Sequence, residues 1–210
     1  MSWIHFYHMK YTMKYTVFFD LGNVLLFFDH HKMKQQVATC CNLSVEETSF
    51  LLQKYLDDYE RGSITTQALY SDLLKLGGKP ISFTDFTHAL SNIFQPNLPV
   101  IALLEQMKAR GVKLFLLSNT CDAHFNFAQK HFAFLQLFDG FILSYEVGAR
   151  KPEEKIYQKA LEIGNCSHKE CFYIDDVPAF VQAARSLNID SEIYLKPEIL
   201  HHHLIQRGIL

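Results

Sequence analysis

The chain lacks a strong excess of charge of either sign. Of its 210 residues, 20 are lysine or arginine and 22 are aspartate or glutamate, which gives a formal net charge of −2. Proteins that bind nucleic acid or anionic membrane surfaces through their overall charge carry a basic excess instead. The charge balance therefore predicts no nucleic-acid partner and no electrostatic attachment to a membrane.

Cysteine is sparse and follows no metal-binding or disulfide pattern. The five cysteines are odd in number and include no Cys-x-x-Cys spacing. Secreted disulfide frameworks and zinc sites require such patterns, whereas reduced thiols are typical of the cytosol. We therefore expect a cytoplasmic protein with free thiols.

Long apolar runs are also missing, since no stretch approaches the roughly 20 residues that span a bilayer. The N-terminal segment has neither a continuous apolar core nor a small-residue cleavage site, so it does not resemble a secretory signal. It does contain a tandem repeat, Met-Lys-Tyr-Thr at 9–12 and again at 13–16. We expect residues 1–13 to be an extension, with a natural start at Met9 or Met13.

What the chain does have is 49% hydrophobic residues, enough for the core of an ordinary domain, arranged in alternating strand and helix patterns. The first expected strand is 14–19, and four helices are expected next, at 32–41, 45–59, 66–76 and 84–94. Thereafter helices at 100–110, 123–131, 152–163 and 179–187 alternate with strands at 113–117, 140–143, 171–174 and 192–195. This alternation predicts an α/β fold with a doubly wound parallel sheet, formed by 14–30 and 96–210, with a helical insertion at 31–95.

Polar residues follow three of the predicted strands at the point where each strand ends. Asp20 follows the first strand, Ser118-Asn119-Thr120 the second, and Asp175-Asp176 the strand at 171–174. Ligands of open α/β sheets bind at the carboxyl ends of the strands, so we expect these tips to share one edge. Asp20 is the candidate nucleophile of that edge.

Four segments in this order resemble the haloacid dehalogenase-like (HAD) hydrolase superfamily, and the resemblance covers residues 14–210. They are VFFDLGNVLL, LFLLSNT, VGARKPEEKIYQKAL and FYIDDVPAFVQAA. The opening DLGNVLL and the segment 59–65 are most similar to small sugar-phosphate phosphatases and to the phosphatase domain of soluble epoxide hydrolase. The resemblance implies a Rossmann-like core, with the four helices forming a cap domain over the site.

The resemblance also implies phosphoryl transfer, in which Asp20 attacks phosphorus and water then hydrolyses the aspartyl-phosphate. A phosphate dianion repels a carboxylate, so such a site needs positive charge and hydrogen-bond donors around it. Lys151 supplies the charge; because Pro152 follows it, we expect it at the N-terminus of the next helix. Ser118 and the backbone of Asn119 are the expected phosphate donors, and no Gly-x-Ser-x-Gly elbow marks Ser118 as a nucleophile.

The paired acids Asp175 and Asp176 would repel Asp20 unless a cation lay between them, which indicates bound Mg²⁺. By the family pattern, Asp20, the carbonyl of Gly22 and Asp176 bind the metal, while Asp175 acts through water or orients Lys151. Gly22 is a departure, because most family phosphatases have a second aspartate there as general acid and base.

A second departure is Phe180, which stands where many relatives have asparagine, and for which we expect a change of packing only. In the insertion, Tyr59, Glu60 and Arg61 are the candidates for contact with the site and substrate.

The sequence thus predicts a Mg²⁺-dependent phosphatase of a small phosphorylated metabolite, such as a sugar phosphate, acting as a monomer or homodimer. Two alternatives stay open at this point. One is a metal-independent 2-haloacid dehalogenase, which uses the same aspartate at carbon. The other is a catalytically weak phosphate-binding or interaction protein, because Gly22 replaces the usual acid.

Overall fold

A computed structural model of the protein describes residues 15–77 and 79–210. The predicted extension at 1–13 lies outside the described residues. Among the residues that are described, no helix is both long and apolar enough to cross a membrane.

Residues 15–77 and 79–210 form seven strands and ten α-helices. The strands are β1 (Thr16–Phe19), β2 (Leu26–Phe28), β3 (Phe94–Pro96), β4 (Lys113–Ser118), β5 (Gly140–Leu143), β6 (Cys171–Asp175) and β7 (Asp190–Ile193). The helices are α1 (His30–Cys41), α2 (Val45–Glu60), α3 (Thr66–Gly77), α4 (Phe83–Ser91), α5 (Leu98–Ala109), α6 (Asp122–His131), α7 (Ser144–Val147), α8 (Glu154–Gly164), α9 (Pro178–Ser186) and α10 (Pro197–Gln206). A short 3₁₀ helix follows α6 at Ala133–Leu137.

Five parallel strands form the central sheet in the order β5-β4-β1-β6-β7. Along β1, Val17 and Phe19 belong to the apolar core on one face of the sheet and Phe18 to the core on the other. Helices α5, α6 and α10 contribute to the first core, and α8 and α9 to the second. Both faces are therefore covered, which explains the continuous apolar strands and confirms the predicted doubly wound α/β fold.

Helices α1–α4 form an insertion that leaves and rejoins the sheet through a two-stranded antiparallel pair, β2 with β3. Its own core includes the fully buried Val37, Leu69, Phe86 and Leu90. Helix α2 begins after Ser44, which forms a reciprocal capping box with Glu47.

The predicted bounds of one helix and of the last strand differ from the structure. The helix predicted at 84–94 ends at Ser91, and Phe94–Pro96 is β3 instead. A strand of three residues is too short to show alternation, and its partner β2 lies more than 60 positions earlier. The last strand is at Asp190–Ile193 rather than 192–195.

The helix predicted to begin at Pro152 begins at Glu154. The reason is that Glu153 has an extended backbone, with φ −65° and ψ 135°, so the helical turn starts one residue later. Lys151 therefore lies in the loop before α8 rather than next to its first turn.

Candidate active site

The ammonium group of Lys151 joins two acidic strand ends. Its Nζ donates to Oδ1 of Asp20 at 2.7 Å and to Oδ2 of Asp175 at 2.6 Å. Lys151 is only 2% exposed, and Nζ also donates to the carbonyl of Leu117 at 3.1 Å. The predicted convergence of the three strand ends is therefore present, because β1 lies between β4 and β6 in the sheet.

Electrostatic repulsion among the acids makes this edge unusual. Burial raises the pKa of Asp20 from 3.8 to about 7, repulsion from the two neighbouring aspartates adds to this, and Lys151 opposes it. Burial disfavours the charge of Lys151, yet Asp20 and Asp175 outweigh that effect and raise its pKa. One lysine thus leaves the cluster short of positive charge.

A divalent cation fits this deficit. Asp20, Asp175 and Asp176 each offer a carboxylate oxygen, all within 4.8 Å of one another, and they are the sole such group of three among the described residues. Oxygen ligands of this kind suit Mg²⁺. Asp176 is half-buried, and its Oδ2 accepts from Nδ2 of Asn23 at 3.0 Å.

The two neighbouring acids have different surroundings. Both oxygens of Asp175 accept protein hydrogen bonds: Oδ2 from Lys151 and the Tyr173 hydroxyl, and Oδ1 from the amide of Val177 at 2.8 Å. Asp175 therefore bonds directly to Lys151, whereas Asp20 and Asp176 each accept one side-chain hydrogen bond among the described residues.

Ser118 and Asn119 lie at the end of β4 and make different contacts. The Asn119 side chain fixes the backbone of Lys151, accepting from its amide at 2.8 Å and donating to its carbonyl at 3.0 Å. Ser118 is buried, and among the described residues its hydroxyl makes one long hydrogen bond, to the carbonyl of Asn119 at 3.4 Å. The Ser118 hydroxyl is therefore available for a ligand.

The turn that ends α2 is attached to the loop that carries Lys151. Arg150 lies 2.7 Å from Oε2 of Glu60 and 2.7 Å from Oδ1 of Asp57. Arg61 lies 2.6 Å from Oε1 of Glu153. Two of the three predicted insertion residues, Glu60 and Arg61, thus bond to this loop.

The third, Tyr59, is buried in the core of the insertion, where its hydroxyl bonds to that of Thr66. Gly62 allows the turn to approach so closely, because a Cβ there would lie 2.1 Å from the carbonyl oxygen of Tyr145. Its φ of +72° is also one that glycine adopts readily.

Sequence reasoning missed Arg150, Asn23 and Tyr173, all of which lie inside the quoted segments. A charged residue directly beside Lys151 was the available signal for Arg150. Nothing in the sequence indicated which acids Arg150 pairs with, since Asp57 is 93 positions away.

Two aromatic rings lie beside the departures from the family pattern. A Cβ at Gly22 would lie 2.7 Å from Cε1 of Phe28, so this ring fills the space that a side chain would need. The Phe28 ring packs on His30, with centroids 4.6 Å apart. Phe180 places its ring centroid 5.2 Å from Nζ of Lys151, so its contribution includes a cation–π contact as well as packing.

A cavity of about 200 Å³ separates the insertion from the sheet edge. Gly22, Ser118 and Asn119 line one side of it, and helices of the insertion line the other. The sequence did not predict this cavity, because its walls come from five separate stretches of the chain.

The family model for haloacid dehalogenase-like hydrolases matches residues 31–193, which include Ser118, Lys151 and the two adjacent aspartates. The chain belongs to the haloacid dehalogenase-like hydrolase family. The resemblance found in the four sequence segments is thereby confirmed.

Two relatives illustrate the HAD family membership. The sesquiterpene phosphatase astK of Aspergillus oryzae is 27% identical over 183 residues, covering 85% of this chain and 88% of that protein. A HAD family enzyme of Bacteroides thetaiotaomicron is 25% identical, with a TM-score of 0.78, covering 90% of this chain and 98% of its own. A structure of the Bacteroides enzyme contains magnesium and inorganic phosphate, at 26% identity, a TM-score of 0.74, and coverage of 86% and 94%.

The fold is also shared with a dehalogenase. The L-2-haloacid dehalogenase of Xanthobacter autotrophicus is 18% identical, with a TM-score of 0.60, covering 93% of this chain and 84% of its own. At that identity the likeness concerns the HAD fold, so the choice between phosphatase and dehalogenase depends on the residues of the site.

Proposed function

We propose that this HAD hydrolase is a Mg²⁺-dependent phosphatase that hydrolyses a phosphate monoester of a small metabolite through an aspartyl-phosphate on Asp20. The observation that carries the proposal is the position of Lys151 Nζ, 2.7 Å from Asp20 and 2.6 Å from Asp175, with Asp176 close enough to share a cation. A dehalogenase that works without metal has no need for this group of acids.

Each group at the sheet edge has a role in phosphoryl transfer. Asp20 supplies the attacking carboxylate oxygen, and Lys151 neutralises charge on the phosphoryl oxygens. The Ser118 hydroxyl and the backbone amide of Asn119 donate to the same oxygens. Asn119 and Asp175 hold Lys151 in place through the hydrogen bonds described above.

Magnesium would be held by Asp20, Asp176 and the carbonyl of Gly22. When bound, it offsets the repulsion between the acids and the phosphate dianion. Asp175 is assigned to Lys151 rather than to the metal, since both of its oxygens already accept hydrogen bonds.

Proton transfer to the leaving group has no donor at position 22. We therefore expect hydrolysis to favour esters with good leaving groups, such as anomeric or acyl phosphates, over simple alkyl esters. Helices α1–α4 act as a cap over the site, held to it by the ion pairs of Arg150 and Arg61.

The comparisons support this assignment over the alternatives. A relative that covers most of this chain is named as a phosphatase, and the Bacteroides enzyme binds magnesium with inorganic phosphate. Both support phosphate as the group on which this chain acts.

The test is phosphate release from a panel of monoesters and acyl phosphates, with Mg²⁺ and with EDTA. We expect Mg²⁺-dependent release in the wild type and a loss of about 10³-fold or more in Asp20→Asn. Asp58→Asn is the matched control, because Asp58 is exposed on α2, and it should retain wild-type activity.

Two results would overturn the proposal. Metal-independent turnover of 2-haloacids, abolished by Asp20→Asn, would establish a dehalogenase. Binding of phosphate without release from any member of the panel would establish a phosphate-binding protein.

A further inference from the structure

The cavity between the sheet edge and the insertion begins where a phosphoryl group would lie. Ser118, Asn119 and Gly22 form its inner end, next to Asp20 in the sheet edge. A substrate whose phosphate reaches Asp20 would thus place its organic group in this space. Its walls therefore describe the chemistry of that group.

Those walls are mainly apolar. Leu52 and Leu56 of α2 line the cavity together with Leu90, Ile93 and Phe94, and Leu90 and Ile93 are almost fully buried. A sugar needs several hydrogen-bond partners along its hydroxyl groups, and leaving them unpaired is unfavourable. This wall offers few of them.

The titratable groups in the wall are neutral or already paired. Burial lowers the pKa of His124 to about 4, and its Nε2 lies 3.1 Å from the carbonyl of Leu90. Burial also lowers the pKa of His30, so both imidazoles are uncharged at neutral pH. Glu60 pairs with Arg150 at 2.7 Å.

The free-standing charge in the lining is at the mouth. Lys34 lines this cavity and also the neighbouring surface depression that contains the exposed Phe50, so it lies at the boundary with solvent. Between the mouth and the phosphate end, the cavity offers no net charge to a ligand.

We infer that the substrate is a phosphate monoester whose organic group is uncharged and rich in hydrocarbon, in place of the sugar expected from the family resemblance. This inference rests on the proposed phosphatase activity. At about 200 Å³ the cavity exceeds the roughly 150 Å³ apolar cavity that holds benzene, which corresponds to an organic group of about six to ten carbons.

The first experiment is a chain-length series with Mg²⁺, measuring kcat/KM for n-alkyl phosphates from propyl to octyl beside glucose 6-phosphate. All of these are esters of primary alcohols, so the leaving groups are comparable. We expect kcat/KM to rise about two- to fourfold for each added methylene until the cavity is full. Glucose 6-phosphate should fall below hexyl phosphate by at least about tenfold.

The second experiment makes the wall polar with the double variant Leu52→Gln, Leu56→Gln. Leu56 is 37% exposed and Leu52 is half-buried, so the change spares the deepest core. We expect octyl phosphate to lose about tenfold in kcat/KM, and the loss to become smaller as the alkyl chain is shortened to propyl. Leu76→Gln is the matched control, because Leu76 is exposed on α3 and does not line the cavity.

A flat or falling chain-length series, or a preference for glucose 6-phosphate, would overturn the inference while leaving phosphatase activity intact. Absence of phosphate release even from acetyl phosphate would instead contradict the proposed function. In that case, titration calorimetry with propyl- to octylphosphonate still tests the cavity, since affinity should rise with chain length. Should the double variant fail to fold, the wild-type series decides.

Discussion

The sheet edge and the wall of the insertion face one another across the same cavity, yet they are built in opposite ways. At the sheet edge, buried charges lie less than 3 Å apart, as in the contacts of Lys151 with Asp20 and Asp175. The opposite wall is mainly apolar, with Lys34 at the mouth and Glu60 paired with Arg150. Under the proposed function, the first region binds the reacting phosphate and the second binds the organic group.

The two regions also differ in how they are held. Lys151 is fixed by the side chain of Asn119 and by the register of adjacent parallel strands. The insertion is held to the sheet in part by ion pairs with exposed members, such as Arg150 with Asp57, whose side chain is 60% exposed. We therefore expect changes at the sheet edge to affect kcat, and changes at the ion pairs between the insertion and the loop before α8 to affect KM.

The largest effect is expected at Lys151. Replacing it by methionine removes the positive charge that faces the phosphoryl group, so kcat should fall by about 10³-fold. Lys155→Met is the control, since Lys155 is exposed in the first turn of α8, four residues after Lys151. If Lys151→Met kept more than a tenth of wild-type kcat in steady-state assays, the chemistry would not depend on the sheet edge.

A smaller effect is expected when the ion pairs between the insertion and the loop before α8 are broken. Arg150→Gln breaks the pairs with Asp57 and Glu60, so the insertion should close less often over the substrate. We expect KM to rise about tenfold with kcat changed less than threefold, and unfolding free energy to fall by about 1 kcal/mol. Arg185→Gln, which breaks a remote pair with Glu192, should lower stability without changing KM.

Equal effects of Arg150→Gln on kcat and KM would contradict the division of labour between the two regions. A rise in KM with Arg185→Gln would have the same consequence, since it would show that any surface ion pair affects binding.

The last effect concerns pH and the stability of the metal-free protein. Because the pKa of Asp20 is raised from 3.8 to about 7, the folded state binds more protons than the unfolded state between these values. Asp20 therefore makes wild type less stable as pH rises through this window, a contribution that Asp20→Asn lacks. The stability of Asp20→Asn relative to wild type should increase by about 2 kcal/mol from pH 5 to pH 8.

Urea denaturation in EDTA measures this difference, and Mg²⁺ should reduce it at pH 8 by stabilising the wild type. A difference that stays constant with pH would show that the pKa of Asp20 is not raised in the folded protein.

The contrast between the regions also explains how much the sequence predicted. The strand ends were predictable, because short apolar runs that stop at Asp20, Ser118 and Asp175 place polar groups at one edge of a parallel sheet. The antiparallel pair β2–β3 was not, since its two members join residues far apart in the chain through three positions each. The apolar wall was hidden for a similar reason: Leu52, Leu90 and Phe94 each fit an ordinary helix core pattern when taken alone.

Gly22 shows which part of a single motif could be predicted from the sequence and which could not. The replacement of the usual acid by Gly22 was visible in the sequence. The contact of Gly22 with Phe28 was not, because the two residues meet only where the chain turns back into β2. An aspartate at position 22 must displace this ring from its contact with His30.

Because Gly22 contacts Phe28, the effect of a substitution at one of these positions depends on the residue at the other. A residue smaller than phenylalanine at 28 would leave room for a side chain at 22, whereas with Phe28 present the far edge of its half-buried ring must shift. In a library randomised at both positions and selected for folding, acids at 22 should be recovered mainly together with small residues at 28.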